Sequence, residues 1–168
     1  MSPKQARVMA AYNQWMNQRL YEVCAEFSDE ERKQDRRAFF GSIHGTLNHL
    51  LLGDKLWMGR FQAQPFTVKG LDQELYADFN ELRSEREQTD ARIIEWTGGL
   101  TDDALACTLH FTSIANPASR SIALWLAVTH FFNHQTHHRG QLTTLLSQCG
   151  KDIGVTDLMW LPDIESHQ

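Results

Sequence analysis

Residues 128–141 have the sequence Val-Thr-His-Phe-Phe-Asn-His-Gln-Thr-His-His-Arg-Gly-Gln, which places four of the eight histidines within nine positions. On a helix, residues four apart lie about one turn above each other on the same face. His130, His134 and His138 therefore form a ladder on one face, and His137 lies to one side of it. Two imidazoles spaced in this way can both reach one metal ion, as in the metal-binding HExxH helix.

A third ligand has to come from another part of the chain, and His49 is the candidate. It lies among Leu47, Leu50 and Leu51, so it shares the apolar side of a second helical segment. A single histidine on an apolar face is more often a core residue that is hydrogen-bonded to a carbonyl group. Three buried histidines would each need such a partner, whereas one metal ion satisfies all three. From spacing alone, the metal site and the core histidines both remain open interpretations.

The composition is that of an ordinary folded protein. Of 168 residues, 42% are hydrophobic and 22% are charged, which suits one domain over residues 1–168 with its own core. The net charge of −5 and the lack of a basic run argue against a nucleic-acid partner. We find no signal peptide and no run of ~18 apolar residues, and Cys24, Cys107 and Cys149 have no disulfide-type spacing. We therefore expect a soluble cytoplasmic protein with no membrane partner.

Four long segments have the apolar periodicity of helices. They extend over about Gln5–Phe27, Ser42–Phe61, Asp72–Trp96 and Ser121–Cys149. Ser28–Glu31 has the form of a capping box and predicts a short helical turn. Leu105–Ile114 alternates loosely and Asn116-Pro117 predicts a turn, so we expect a short hairpin or irregular arm before the last long helix. The predicted fold class is all-α, an up-down four-helix bundle with this small arm.

Three motifs along these helices are specific enough to compare with known families. They are Tyr12-Asn13-Gln14-Trp15-Met16-Asn17, then Gly45-Thr46-Leu47-Asn48-His49 with Asp54 and Trp57, and finally Asn133-His134-Gln135-Thr136-His137-His138-Arg139-Gly140-Gln141. Together they resemble the DinB/YfiT family of bacterial proteins, with similar order and spacing over about residues 8–160. The resemblance implies a four-helix bundle, usually a homodimer, with one divalent metal ion per chain held by His49, His134 and His138.

The resemblance also implies a class of function. Relatives include bacillithiol S-transferases and a mycothiol-dependent maleylpyruvate isomerase, which use a metal-bound small thiol. We therefore expect a metal-dependent thiol S-transferase, or a related thiol-dependent enzyme of stress or detoxification, that acts on a low-molecular-weight thiol and an electrophilic small molecule. A stress-associated metal-binding bundle without catalysis and a metal-dependent hydrolase are the alternatives. Zinc or nickel is the first expectation for the metal, and iron, manganese or cobalt also suits imidazole ligands.

Several neighbours of the motifs have alternative roles. Asp54 either orients a ligand imidazole or forms an ion pair with Arg139 or another base. His130 either extends the polar floor of the pocket or packs as a hydrogen-bonded core residue. A glycine inside a helix is unfavourable, so Gly140 is expected where another helix approaches closely. No catalytic residue is assigned from the sequence.

Two further expectations concern the surroundings of the site. Asn13 and Asn17 share a face of the first helix and are expected near the pocket mouth, whereas His44 should point away from His49. Metal ligands must be neutral imidazoles, and free histidine titrates near pH ~6.5. We therefore expect added metal to raise the melting temperature near pH ~8 and scarcely at all near pH ~5.

Overall fold

The computed structural model describes residues 1–114 and 118–167. The fold is mostly helical, with one small antiparallel sheet. In chain order the elements are α1 (Pro3–Ala25), α2 (Asp29–Lys33), α3 (Ile43–Phe61), α4 (Phe79–Gly98), α5 (Asp102–Ala106), β1 (Thr108–Thr112), β2 (Ser119–Ala123) and α6 (Leu124–Gln148), then 3₁₀ helices at Leu158–Trp160 and Ile164–His167. None of the described helices combines the length and the apolar character needed to cross a bilayer.

Serine residues cap the starts of three helices, α1, α2 and α3. The Ser28 hydroxyl accepts a hydrogen bond from the backbone N–H of Glu31, and the Glu31 side chain accepts one from the backbone N–H of Ser28. This capping box confirms the short helical turn predicted there, which is α2. At the start of α3, the Ser42 hydroxyl accepts a hydrogen bond from the backbone N–H of Gly45. The predicted start of the second long helix is therefore its N-cap.

The third long helix begins at Phe79 and not near Asp72 as predicted from periodicity. The side-chain oxygen of Asn48 on α3 accepts hydrogen bonds from the backbone N–H groups of Leu75 and Tyr76, at 2.8 and 3.0 Å. Because these N–H groups find their partner on another helix, they need no helical partner of their own. The segment before α4 is therefore a loop that is held against α3.

The predicted arm before the last long helix is present as an antiparallel pair of strands. β1 and β2 pair along their whole length. Because residues 121–123 belong to β2, α6 begins at Leu124 and not near Ser121 as predicted. The turn predicted at Asn116-Pro117 lies outside the described residues. The predicted all-α class does not account for this two-stranded sheet. The structure supports a mostly helical fold that includes it.

The long helices pack against one another through buried apolar side chains. α1 and α3 each contact both α4 and α6. Leu47 and Leu51 of α3 share one apolar cluster with Leu142 and Leu146 of α6, and all four side chains are almost fully buried. The burial of each such side chain stabilises the folded state by ~1.5–3 kcal/mol. This cluster fixes the two helices that hold the candidate metal ligands.

Candidate metal centre

Three histidine side chains meet between α3 and α6. His49 lies on α3, and His134 and His138 lie one turn apart on α6. The Nε2 atom of His138 is 3.2 Å from His49 Nε2 and 3.1 Å from His134 Nε2. Two nitrogens that each lie ~2.1 Å from one ion are roughly 3.0–3.4 Å apart at the angles of four- to six-coordinate metals. The structure therefore brings the three sequence-predicted residues into a group that can hold a divalent metal ion.

Two of the rings are fixed by hydrogen bonds at their outer nitrogens. His49 Nδ1 donates to the Leu71 carbonyl oxygen at 2.8 Å, and His138 Nδ1 donates to Gln141 Oε1 at 2.7 Å. A neutral imidazole has one N–H, so both rings direct an unprotonated Nε2 towards the centre. Lone pairs that face each other repel, and a cation between them removes that repulsion. The donor set therefore fits a metal ion better than it fits hydrogen bonds among the histidines.

Burial keeps all three imidazoles neutral. It lowers the pKa of His49 to about 4, although the hydrogen bond to Leu71 opposes the shift. It lowers the pKa of His134 to about 3, with a further contribution from the neighbouring histidines. Burial lowers the pKa of His138 as well. Since only the neutral ring binds a metal ion, these shifts favour the metal-binding form of the three rings at neutral pH.

Phe40 and Gly53 support the rings from two sides. The Phe40 ring stacks on His49 with centroids 3.7 Å apart and presents an edge-on contact to His138 at 5.4 Å. Gly53 lies one turn after His49, and a Cβ atom there would come within 2.9 Å of His134 Cε1. The absence of a side chain thus lets α3 approach this ring closely. Sequence reasoning missed both residues, although a helical glycine one turn from a candidate ligand was a usable signal.

A cavity of about 240 Å³ adjoins two of the three histidines. His49 and His134 form part of its wall, together with Gly53, Trp57 and Arg60. A divalent ion that is held by three protein ligands keeps at least one position free. The cavity therefore gives a small molecule access to the candidate centre.

Comparison with known proteins agrees with the fold and the histidine group. The DinB family model matches residues 1–168. The chain belongs to the DinB family. It is also similar to the Bacillus subtilis (strain 168) protein named Protein DinB, with 28% identity over 159 residues and 87% of each chain covered. The DinB resemblance inferred from the three sequence motifs is therefore confirmed.

In this DinB-family chain, Asp54 belongs to a buried ion-pair network next to the histidine group. Asp54 Oδ2 is 2.6 Å from Arg86 Nη1, and Gln135 Nε2 donates to Asp54 Oδ1 at 2.6 Å. Arg86 also pairs with Asp90 at 2.9 Å. Asp54 therefore does not orient a ligand imidazole. The alternative, an ion pair with a base, is correct, and the base is Arg86 instead of Arg139.

The two asparagines of α1 do not line the pocket mouth. Asn13 and Asn17 are buried and donate hydrogen bonds to Asp90, at 3.2 and 2.9 Å. Arg139 donates to the side-chain oxygen of Asn13 and so joins the same network. The close approach of another helix that was expected at Gly140 is not found within this chain, because a Cβ atom there would meet no described residue within 4 Å. Asn13, Asn17 and Arg139 therefore serve the packing of the helices here.

The remaining histidines lie outside the group of three. His130 is exposed, lines the cavity and packs against Trp57 with ring centroids 5.1 Å apart. Its role is therefore that of a pocket residue, and the core alternative is wrong. His44 contacts the Tyr76 carbonyl oxygen at 2.9 Å and points away from the centre, as predicted. His137 is exposed on the outer side of α6.

Proposed function

We propose that this protein binds one divalent metal ion through His49, His134 and His138 and acts as a metal-dependent thiol S-transferase. The proposal rests on the convergence of three imidazole nitrogens beside an open cavity. A divalent ion bound there supplies Lewis acidity, which converts a coordinated thiol into a nucleophilic thiolate at neutral pH. We expect zinc or nickel first, and iron, manganese or cobalt would also suit three imidazoles.

The side chains around the three rings support this role. Leu71 and Gln141 hold two rings by their outer nitrogens, and Phe40 covers the His49 ring. Rings that are held in place before binding lose little freedom when a ligand arrives. Within the described residues, no cysteine or carboxylate joins the histidine group, so positions remain for a substrate.

The finer parts of the proposal concern architecture, partners and compartment. We infer that the four long helices form an up-down bundle and that two chains form a homodimer. The partners are a low-molecular-weight thiol and an electrophilic small molecule. A nucleic acid is not among them, given the net charge of −5. The three cysteines are free thiols, in keeping with a reducing cytoplasm.

The first test is the metal content of protein purified without a His-tag or added metal. We expect about one ion per native chain and almost none in His49→Ala, His134→Ala and His138→Ala. His137→Ala is the matched control, because His137 is exposed on the same helix and lies outside the group of three. Full occupancy in any of the three ligand variants would contradict the site.

The second test is thiol-dependent conjugation of a simple electrophile such as 1-chloro-2,4-dinitrobenzene, with several low-molecular-weight thiols. Turnover that requires both thiol and metal, and that is lost in His134→Ala, supports the transferase. Consumption of the electrophile by metal-loaded protein without thiol indicates metal-dependent hydrolysis instead. Metal-loaded protein that shows no turnover indicates a metal-binding bundle without catalysis.

A further inference from the structure

Arg60 is a cation in the wall of the cavity of about 240 Å³, and no described residue forms an ion pair with it. Its guanidinium lies over the Trp57 ring at 4.5 Å and over the Phe111 ring at 4.8 Å. It makes no hydrogen bond or ion pair with any side chain in residues 1–114 and 118–167. Burial lowers the pKa of Arg60, because partial removal from water disfavours the charged guanidinium. An anion placed against it would restore the lost interactions.

Arg60 lies on the same side of α3 as the ligand His49. It follows His49 by eleven residues, which is about three helical turns. Its guanidinium extends back over Trp57, one turn closer to the metal ligands. Both Arg60 and His49 line the cavity of about 240 Å³. A small molecule in this cavity can therefore contact the centre at one end and Arg60 at the other.

Among the described residues, those that line the walls around Arg60 include positive charges and no negative ones. A groove of about 460 Å³ continues from the cavity and shares Trp57, Arg60 and His130 with it. Arg120 adds a second guanidinium to this groove. None of the described residues that line either space is acidic, although the chain has 21 acidic residues and a net charge of −5. A cleft lined by one sign of charge attracts ions of the opposite sign.

We infer that Arg60 binds a carboxylate of the thiol substrate, so that the substrate class is a small thiol acid. The inference rests on the proposed function, because the thiol sulfur is the end that faces the metal centre. A guanidinium offers two parallel N–H groups to a carboxylate. The Trp57 and Phe111 rings contact the guanidinium from the same side, since their centroids are 5.3 Å apart, and no described side chain accepts a hydrogen bond from its N–H groups. The thiol is then held at its sulfur by the metal centre and at its carboxylate by Arg60. The electrophile can approach through the groove of about 460 Å³.

The test compares thiol acids with thiol alcohols of equal length. Protein loaded with Co²⁺ is titrated with 3-mercaptopropionate and 3-mercaptopropanol, and with 6-mercaptohexanoate and 6-mercaptohexanol. Thiolate binding is followed by the near-ultraviolet absorbance of the cobalt–sulfur bond. The carboxylate makes the neighbouring thiol less acidic, so thiol acidity alone favours the alcohols. We expect at least one acid to bind about tenfold to a hundredfold more tightly than its alcohol.

Variants of Arg60 decide whether this residue is responsible. Arg60→Met should remove the preference, and Arg60→Lys should keep part of it, because lysine retains the charge without the paired N–H groups. Arg7→Met is the control, since Arg7 is exposed on α1 and lines neither space. Unchanged cobalt d–d bands before titration show that the centre of each variant is intact.

The outcomes separate the inference from the proposed function. Acids and alcohols that bind equally to the native protein, or a preference that survives in Arg60→Met, overturn the assignment of Arg60 and leave thiol binding in place. Failure of every thiol to change the cobalt spectrum overturns the proposed function, and the inference with it. A preference that is lost in Arg60→Met and kept in Arg7→Met supports a substrate that is a thiol acid.

Discussion

Acidification from about pH 7.5 to about pH 5.5 should leave the metal in the centre. This expectation replaces the one drawn from the sequence, which used the ordinary histidine pKa of ~6.5. In the folded protein, the pKa of His49 is lowered to about 4 and that of His134 to about 3, and the pKa of His138 is also lowered. Protons therefore begin to compete with the metal only at a lower pH than in a solvated site.

The difference between the two cases is large enough to measure. At about pH 5.5, an imidazole of pKa ~6.5 is neutral about one time in ten, so three such ligands would weaken metal binding about a thousandfold, or ~4 kcal/mol. With a pKa of about 4 for His49 and about 3 for His134, these two rings remain almost wholly neutral at that pH. We expect the weakening to stay well below a hundredfold, or ~2.7 kcal/mol.

The metal-free protein has its own pH dependence, with a defined sign. The folded pKa values of His49 and His134 are below the unfolded value, so the unfolded chain binds more protons as the pH falls below ~6.5. The metal-free protein therefore loses stability between about pH 6.5 and about pH 3 and has its full stability above that window. The metal effect has to be measured as the difference between metal-loaded and metal-free protein at each pH.

Thermal melting with and without metal provides the measurement. Metal at ~100 times its dissociation constant should add ~2.7 kcal/mol to the free energy of unfolding near pH 7.5, and most of this increment should persist near pH 5.5. His134→Ala should show no increment at either pH, which assigns the effect to the centre. An increment in the native protein that disappears near pH 5.5 would refute the view that burial keeps these ligands neutral.

Three other outcomes follow from the structure. Gly53→Ala places a Cβ atom 2.9 Å from His134 Cε1 and should weaken metal binding in a chelator competition, whereas Gly140→Ala meets no described neighbour and should bind normally. We expect Gly53→Ala to lower the metal affinity about tenfold. We expect Gly140→Ala to raise the free energy of unfolding by ~1 kcal/mol. Asp54→Asn removes one of the two carboxylates paired with Arg86, and because Asp90 still pairs with Arg86 it should lower the free energy of unfolding in urea by ~1.5–3 kcal/mol, while metal content is kept. Sedimentation at micromolar concentration should give about twice 19.4 kDa, and a monomer would remove the dimer from the proposal.

Local patterns predicted the parts of the site that one helix determines. The pair His134 and His138 follows from helical spacing alone, because residues four apart share a face. Gln141, three residues after His138, could have been identified by the same rule. His49 depends on which helices are neighbours, and periodicity does not contain that information. Its place among Leu47, Leu50 and Leu51 made it the candidate third ligand, the family resemblance supported that choice, and the packing of α3 against α6 brings it into the group.

The parts that could not be predicted depend on contacts between distant residues. The Leu71 carbonyl that holds His49 is a backbone group in a loop and has no sequence signature. The start of α4 was placed too early because Asn48 satisfies the backbone of the preceding loop from another helix. Residues 121–123 are compatible with a helix or a strand, and their pairing with β1 decides the outcome.

The Asp54–Gln135 bond joins α3 to α6 directly beside the ligand histidines, yet it uses none of them. Together with the apolar cluster, it gives the two helices a reason to pair that is independent of any metal. Over evolutionary time, the scaffold and the centre can therefore change separately. A lineage that lost a candidate ligand histidine would keep the fold, whereas a change at Arg86 alone would leave the buried carboxylates of Asp54 and Asp90 without their arginine. Neutral drift should consequently alter the chemistry of this pocket more readily than the charged pairs behind it.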